Sequence, residues 1–345
     1  MFKIPPVESS HPPHSMRASV FALFAVASVA GNLAAQSSAP ACRATRVVQE
    51  PGPVALFEYD RTEALDLRDS LAFNELGVDV YSVSFASPKG GRVTGLLHVP
   101  HDSLRATEGK FPGVVMLHGA PGDAWGMGGI AMPVARHGAV VLVINAPFAR
   151  RDKDNPLSFT PRDSAEQVQL IVDLQRAVDV LLARSDVDAS RLGFVGVSYG
   201  AAMGALFAGV ERRIAAYALL VGDGGLAAHF TKPDGNRMPR PPHLTAAQWC
   251  RWFAAMEPLA STRFIARAAP ARVLFLWGRQ DRLVPPYLAD ALARAAGETA
   301  EARWYDAGHG LTPVAYLDMI DWLAGRIGLA PVAADERARF VSAAQ

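Results

Sequence analysis

Five short, nearly continuous apolar runs dominate the chain: Val114 to Leu117, Val140 to Ile144, Leu192 to Val197, Ala215 to Val221 and Val273 to Trp277. A strand with no polar face must be covered on both sides, and helices supply that cover in parallel sheets. Helical spacing indeed separates the runs, over Ser164 to Ala183, Ala201 to Ala208 and Pro286 to Ala296. Ahead of them, Val80 to Ala86 and Arg92 to His98 alternate apolar and polar residues around Pro88-Lys89-Gly90-Gly91, the pattern of an antiparallel hairpin closed by a glycine turn. The expected fold class is therefore α/β, a doubly wound and mostly parallel sheet with an antiparallel N-terminal hairpin.

At 345 residues and 50% hydrophobic, the chain can bury a full-sized core. The main domain is expected over 80–330, preceded by an extended lead-in over 36–79 that contains a short helix, and followed by a tail over 331–345. One stretch, 224–263, breaks the βα rhythm with two proline clusters, several charges and the aromatic group Trp249, Trp252 and Phe253. It is read as a small lid inserted over the C-terminal edge of the sheet, where long connections tend to be functional. The first 35 residues read as a secretory signal: Arg17 precedes the apolar run Ala18 to Gly31, and small residues follow. That run is shorter than the roughly 20 residues a membrane span needs, so the expected location is secreted or periplasmic, with no span in the mature protein.

A formal charge of +1 offers no basic field for nucleic acid, and removing Lys3, Glu8 and Arg17 with the leader makes the chain formally neutral. The partner expected is a small molecule. Two cysteines, Cys42 and Cys250, cannot build a disulfide framework or a four-cysteine metal site. They either pair after export or stand as unrelated thiols.

Gly196-Val197-Ser198-Tyr199-Gly200 matches G-x-S-x-G, a pattern that is weak by itself. Its context is specific, because the strand Leu192 to Val197 runs into it and the small-residue helix beginning at Ala201 runs out, as a nucleophile elbow requires. A serine hydroxyl needs an adjacent base to take its proton, and in such folds the acid and then the histidine follow the serine in the chain. Of nine histidines, only His309 lies beyond the last candidate acids, in Asp306-Ala307-Gly308-His309-Gly310 after the strand-like Ala302 to Tyr305. Asp281, in Gly278-Arg279-Gln280-Asp281 after the last apolar run, is the preferred acid. Asp223, after the preceding run, and Asp306 are the alternatives. For the oxyanion, the Tyr199 N–H is one expected donor. The loop His118-Gly119-Ala120-Pro121-Gly122 supplies the other, from Ala120 or alternatively Gly119. His118 has no partners at zinc-like spacing and is read as a brace for that loop, so neither metal nor cofactor is expected.

Strand then HGAPG, strand then GVSYG, strand then GRQD and strand then AGHG together resemble the α/β-hydrolase superfamily. The resemblance is to its dienelactone-hydrolase, acetyl-xylan-esterase and prolyl-oligopeptidase-like branch, over roughly Tyr81 to Gly328. Dienelactone hydrolases proper carry cysteine at the elbow, where this chain has Ser198, and the short mature segment before the hairpin cannot build a prolyl-oligopeptidase propeller. The resemblance implies a serine hydrolase that cleaves carboxylic esters through Ser198, His309 and Asp281 by way of an acyl-enzyme. A peptidase of the same branch and a non-catalytic binding protein on the same scaffold are the alternatives. Trp249, Trp252, Phe253 and Met256, spaced i, i+3, i+4, i+7, fall on one helix face. Such a stripe also fits plain core, but its place after a strand ending near Asp223 favours contact with substrate.

Overall fold

A computed structural model describes residues 52–151 and 157–342. The leader expected over 1–35 and Cys42 lie outside them, so neither the signal nor the Cys42–Cys250 question is addressed by the fold.

Nine strands form one sheet: β1 (Arg68–Glu75), β2 (Val78–Ala86), β3 (Arg92–Pro100), β4 (Phe111–Leu117), β5 (Val140–Ile144), β6 (Val187–Val197), β7 (Ala216–Leu220), β8 (Arg272–Gly278) and β9 (Ala300–Tyr305). Their spatial order is β1-β2-β3-β5-β4-β6-β7-β8-β9. The first three strands and the β3–β5 junction are antiparallel, and every pairing from β5 to β9 is parallel. The expected hairpin is β2 and β3, with Gly90 and Gly91 both at positive φ in its turn.

The helices are α1 (Gly128–Arg136), α2 (Pro161–Leu182), α3 (Tyr199–Ala208), α4 (Leu226–His229), α5 (Ala246–Met256), α6 (Pro286–Ala296), α7 (Pro313–Ile327) and α8 (Ala334–Ser342). Residues of α2, α3 and α6 build the core on one face of the sheet, and residues of α1 and α7 build it on the other. Both faces being covered explains why β4, β5 and β7 are buried at every position.

Elements also fill the two stretches read as lead-in and tail. β1 lies inside the stretch read as lead-in and is exposed along its whole length, so it carries no buried-face alternation; it pairs with β2 at the sheet edge. In the stretch read as tail, α8 docks on α7 through Arg337, which bonds Asp318 (2.8 Å) and Asp321 (2.6 Å). The insert over 224–263 contains α4 and α5, the latter started by a reciprocal cap between Thr245 and Gln248.

β4 has β5 on one side and β6 on the other, so the winding direction reverses there. In open α/β sheets the crevice beyond the carboxyl ends of the strands at such a point is where ligands bind.

Candidate active site

Ser198 stands in that crevice, between the end of β6 and the start of α3. Its backbone is at φ +54° and ψ −115°, outside the regions that L residues favour, and its N–H is held by the Leu220 carbonyl at 2.8 Å. The flanking glycines are required by contact. A Cβ on Gly196 would overlap the Gly200 carbonyl, and one on Gly200 would overlap the Leu117 carbonyl. The elbow therefore closes only because both positions lack a side chain, and α3 can start close against the end of β4.

The loops after β8 and β9 are stitched together. Arg279 N–H donates to the Tyr305 carbonyl and Gln280 N–H to the Ala307 carbonyl, both at 2.9 Å. A Cβ on Gly278 would overlap the Ala307 and Gly308 carbonyls, so glycine is what lets the two loops touch. This brings His309 Nδ1 to 2.8 Å from Asp281 Oδ2, while His309 Nε2 lies 2.9 Å from Ser198 Oγ. Asp281 is buried, and its other oxygen accepts the N–H groups of Leu283 (2.8 Å) and Val284 (2.9 Å). Burial pushes this carboxyl up, but the His309 hydrogen bond and the Val284 and Leu283 amides outweigh it and hold the group below the usual aspartate value. Of the alternative acids, Asp306 is exposed and bonded to Gln280 (2.6 Å). Asp223 faces a different histidine.

The Tyr199 N–H opens α3, and Ala120 lines the same pocket as Ser198. Among the described residues neither the Tyr199 nor the Ala120 N–H has a protein acceptor. Gly119 packs against Ser198 instead, and a Cβ there would sit 3.3 Å from that of Ser198. His118 braces this loop from within. Its Nε2 accepts the Ala146 N–H at 3.0 Å, so the ring proton is on Nδ1, which donates to the Gly119 carbonyl at 2.7 Å. Burial holds the His118 pKa below that of an ordinary histidine, which suits a neutral ring with both nitrogens already committed. Further along, Asn145 accepts the Ala124 N–H at 2.7 Å and ties the loop to the end of β5.

The pocket around Ser198 has a volume of about 200 Å³ and walls that are mostly apolar, from Leu157, Ala202, Leu226, Leu283 and Val284. Besides Ser198, Tyr199 and His309, the polar residues that line it among the described residues are Asp223 and His229, whose carboxylate and Nδ1 are 2.8 Å apart. His229 was not singled out from the sequence. It lies six residues beyond Asp223 in the insert, with no motif around it.

The aromatic stripe requires a correction. Trp249, Trp252, Phe253 and Met256 do share one face of α5, but all four are buried, in a cluster with Ala227 and Leu244 packed by Phe159 and Phe230, and none lines the Ser198 pocket. Trp249 and Trp252 stack at 5.4 Å, and the Trp252 indole N–H donates to the Asp163 carboxylate at 2.8 Å. The face turns inward because an isolated insert needs its own core, and large rings supply most of the buried area. The insert instead meets the pocket through Leu226 and His229 of α4.

Among the described residues no group of three or more His, Cys, Asp or Glu side chains is placed to hold a metal ion, and no helix is long and apolar enough to cross a membrane.

No protein-family model and no curated protein matches the chain. Solved structures do. An acetyl xylan esterase from Paenibacillus sp. R4 is similar at 22% identity over 79% of this chain and 91% of its own, with a TM-score of 0.62. Acetyl xylan esterase 1 from Thermoanaerobacterium sp. JW/SL YS485 is similar at 17% identity over 78% and 90%, with a TM-score of 0.61. A cold-adapted esterase from an Arctic intertidal metagenomic library is similar at 17% identity over 77% and 100%, with a TM-score of 0.56. With the reversal of winding at β4, the elbow at Ser198 and these likenesses together, the chain has the α/β-hydrolase fold.

Proposed function

We propose that the protein is a serine hydrolase that cleaves small carboxylic esters. The observation that carries this reading is the unbroken chain from Asp281 through His309 to Ser198 Oγ, at 2.8 and 2.9 Å, opening into a pocket. Asp281 fixes the imidazole with its proton on Nδ1, which leaves Nε2 free to take the Ser198 proton as Oγ attacks the ester carbonyl. The negative charge that develops on the carbonyl oxygen is met by the N–H groups of Tyr199 and Ala120, which have no competing acceptor among the described residues. His309 then gives its proton to the departing alkoxide. In the second half it deprotonates a water that releases the acid from the acyl-enzyme.

Mostly apolar walls and a volume of about 200 Å³ fit a compact organic group. That three similar structures are named as esterases supports an ester over an amide. Export, argued from the leader, belongs to the same proposal; intact mass after bacterial expression tests it, with a trimmed start between Gly31 and Ala39 expected.

The test is hydrolysis of p-nitrophenyl acetate and butyrate by the purified protein, together with labelling by a fluorophosphonate. Wild type should turn over the esters and take the label, and Ser198→Ala should do neither. A Ser198→Ala protein that keeps more than about a hundredth of wild-type turnover overturns the assignment, because loss of a nucleophile normally costs far more.

A further inference from the structure

The pocket contains a second carboxylate–imidazole pair that the hydrolytic steps leave unused. Asp223 follows β7, the strand beside the one that carries Ser198. Val221 at φ +48°, a strained value for a β-branched residue, turns the chain there. A Cβ on Gly222 would overlap Ala201 in the first turn of α3, so Asp223 is brought close to the nucleophile's own helix. The carboxylate is buried, with Oδ1 accepting the Gly225 N–H at 2.9 Å and Oδ2 facing His229 Nδ1 at 2.8 Å. The arrangement parallels Asp281 and His309, where one carboxylate oxygen likewise takes backbone N–H groups and the other the imidazole. The difference is at the far nitrogen. His309 Nε2 meets Ser198, whereas His229 Nε2 has no protein partner among the described residues, on a side chain that lines the pocket and is 41% exposed.

We propose that His229, held by Asp223, is a specificity-determining residue that binds a carboxylate on the non-reacting part of the ester, so that the enzyme prefers acidic esters to neutral ones of the same shape. This rests on the ester-hydrolase reading above and names the substrate class for it.

Three observations support it. Among the described residues neither lysine nor arginine lines the pocket, so His229 is the one described group there, apart from the histidine engaged by Ser198, that can become cationic. The Asp223 hydrogen bond, stronger than the opposing burial and helped by the charge of the carboxylate, raises the His229 pKa above its ordinary value and favours the imidazolium. In that form Nδ1–H stays with Asp223 and Nε2–H points a charge-assisted donor at whatever fills the pocket. The apolar walls then make the contact selective, because an acceptor placed against Leu157, Leu226, Leu283 or Val284 loses its water without gaining a partner.

A carboxylate could sit on the acyl or on the alcohol side, and two substrate pairs separate these sources. The first is mono-p-nitrophenyl glutarate against p-nitrophenyl pentanoate. The second is 4-acetoxybenzoate against phenyl acetate. In each pair the preference is the ratio of kcat/KM for the acidic ester to that for the neutral one, corrected for spontaneous hydrolysis. His229→Gln, whose amide can still bond Asp223 but carries no charge, should lower the preference tenfold or more in one pair, mainly through KM. The affected pair identifies the side that carries the acid. A structural role would lower both members of a pair together and leave the ratio unchanged. A ratio within twofold of wild type in both pairs, in a variant that still takes the fluorophosphonate label, overturns the inference and leaves the hydrolase reading standing. Wild type that cleaves none of the four esters and takes no label removes both. A measurement needing no variant is inhibition of wild type by pentanoate and by pentanamide. The acid should bind at least tenfold more tightly, and equal inhibition counts against the proposal.

Discussion

Asp281 Oδ2 stands 2.8 Å from His309 Nδ1, with Asp281 Oδ1 tied to the Leu283 and Val284 amides. An acceptor at that position dictates which ring nitrogen keeps the proton. Asp281→Asn offers an NH₂ in its place, which stabilises the tautomer with Nε2 protonated, and that tautomer cannot take a proton from Ser198. The expected loss in kcat is on the order of 10⁴. Asp223→Asn should keep at least about a hundredfold more turnover than Asp281→Asn, since Asp223 orients His229 and not His309. Steady-state rates of the two variants decide it, and the reverse ranking would transfer the acid role to Asp223.

Gly200→Ala is expected to damage the fold and the site together. The added methyl overlaps the Leu117 and His118 carbonyls, both of them backbone, and neither can swing away as a side chain could. α3 must then move off the end of β4, taking the Tyr199 N–H and Ser198 with it. Overpacking of this kind costs typically about 1–3 kcal/mol, and a shift of 1 Å at a reacting group can cost about a hundredfold in rate. Thermal unfolding and kcat on one ester should both fall, and a variant with wild-type melting and wild-type rate would show that the elbow has room to spare.

Much of this architecture was legible because it rests on strong local patterns. Strands covered on both faces have no choice but to be apolar, and β5 was readable to its ends for that reason. Ser198, Asp281 and His309 were readable as a group because they follow β6, β8 and β9, so chain order alone places them at one sheet edge. β1 escaped because an exposed edge strand is shaped by its neighbour and not by burial. His229 escaped for another reason: its position is set by tertiary contact between α4 and the end of β7, and a four-residue helix leaves no periodicity to read. The stripe on α5 was read with the correct face and the wrong neighbour, since spacing gives the side of a helix that is apolar and says nothing of what covers it.

His98 supplies a test of stability against pH. It lies within β3, is 2% exposed, and burial pushes its pKa down to about 4, with a backbone hydrogen bond to Val141 opposing only in part. The unfolded chain therefore binds a proton at His98 from about pH 6.5 downward, while the folded chain resists it until about pH 4. Between those values the unfolded state holds more protons, so this residue makes stability rise with pH. Its contribution is intact above the unfolded value and is lost as pH falls through the window. His98→Leu removes the titrating group and should reduce the fall in unfolding free energy between pH 7 and pH 4.5 by on the order of 2 kcal/mol. Urea unfolding of both proteins at the two pH values measures this, and parallel curves would mean that His98 does not titrate differently on folding.

Trp252→Ala separates the structural reading of the α5 stripe from a substrate-binding one. Trp252 is 3% exposed, stacks on Trp249, meets Phe253 edge-on at 5.1 Å and satisfies the buried Asp163 carboxylate. Truncation removes a large buried ring at about 3–5 kcal/mol and takes one donor from a carboxylate that keeps the Phe159 N–H (2.8 Å) and the Ser158 N–H (2.9 Å). The insert should loosen as a unit, because α2, the segment at Phe159 and α5 are joined through this side chain. Since α4 of the same insert presents Leu226 and His229 to the pocket, rates should fall by a similar factor for acetate and for bulkier esters, with a melting temperature lowered by several degrees. Trp252→Phe keeps a six-membered aromatic ring and loses the pyrrole portion of the indole with its N–H, so it should fall between wild type and alanine in melting temperature. If Trp252→Ala instead melts like wild type and loses tenfold or more on bulky esters alone, the stripe touches substrate after all. The inward packing of α5 would then be a closed state of an insert that opens to admit substrate.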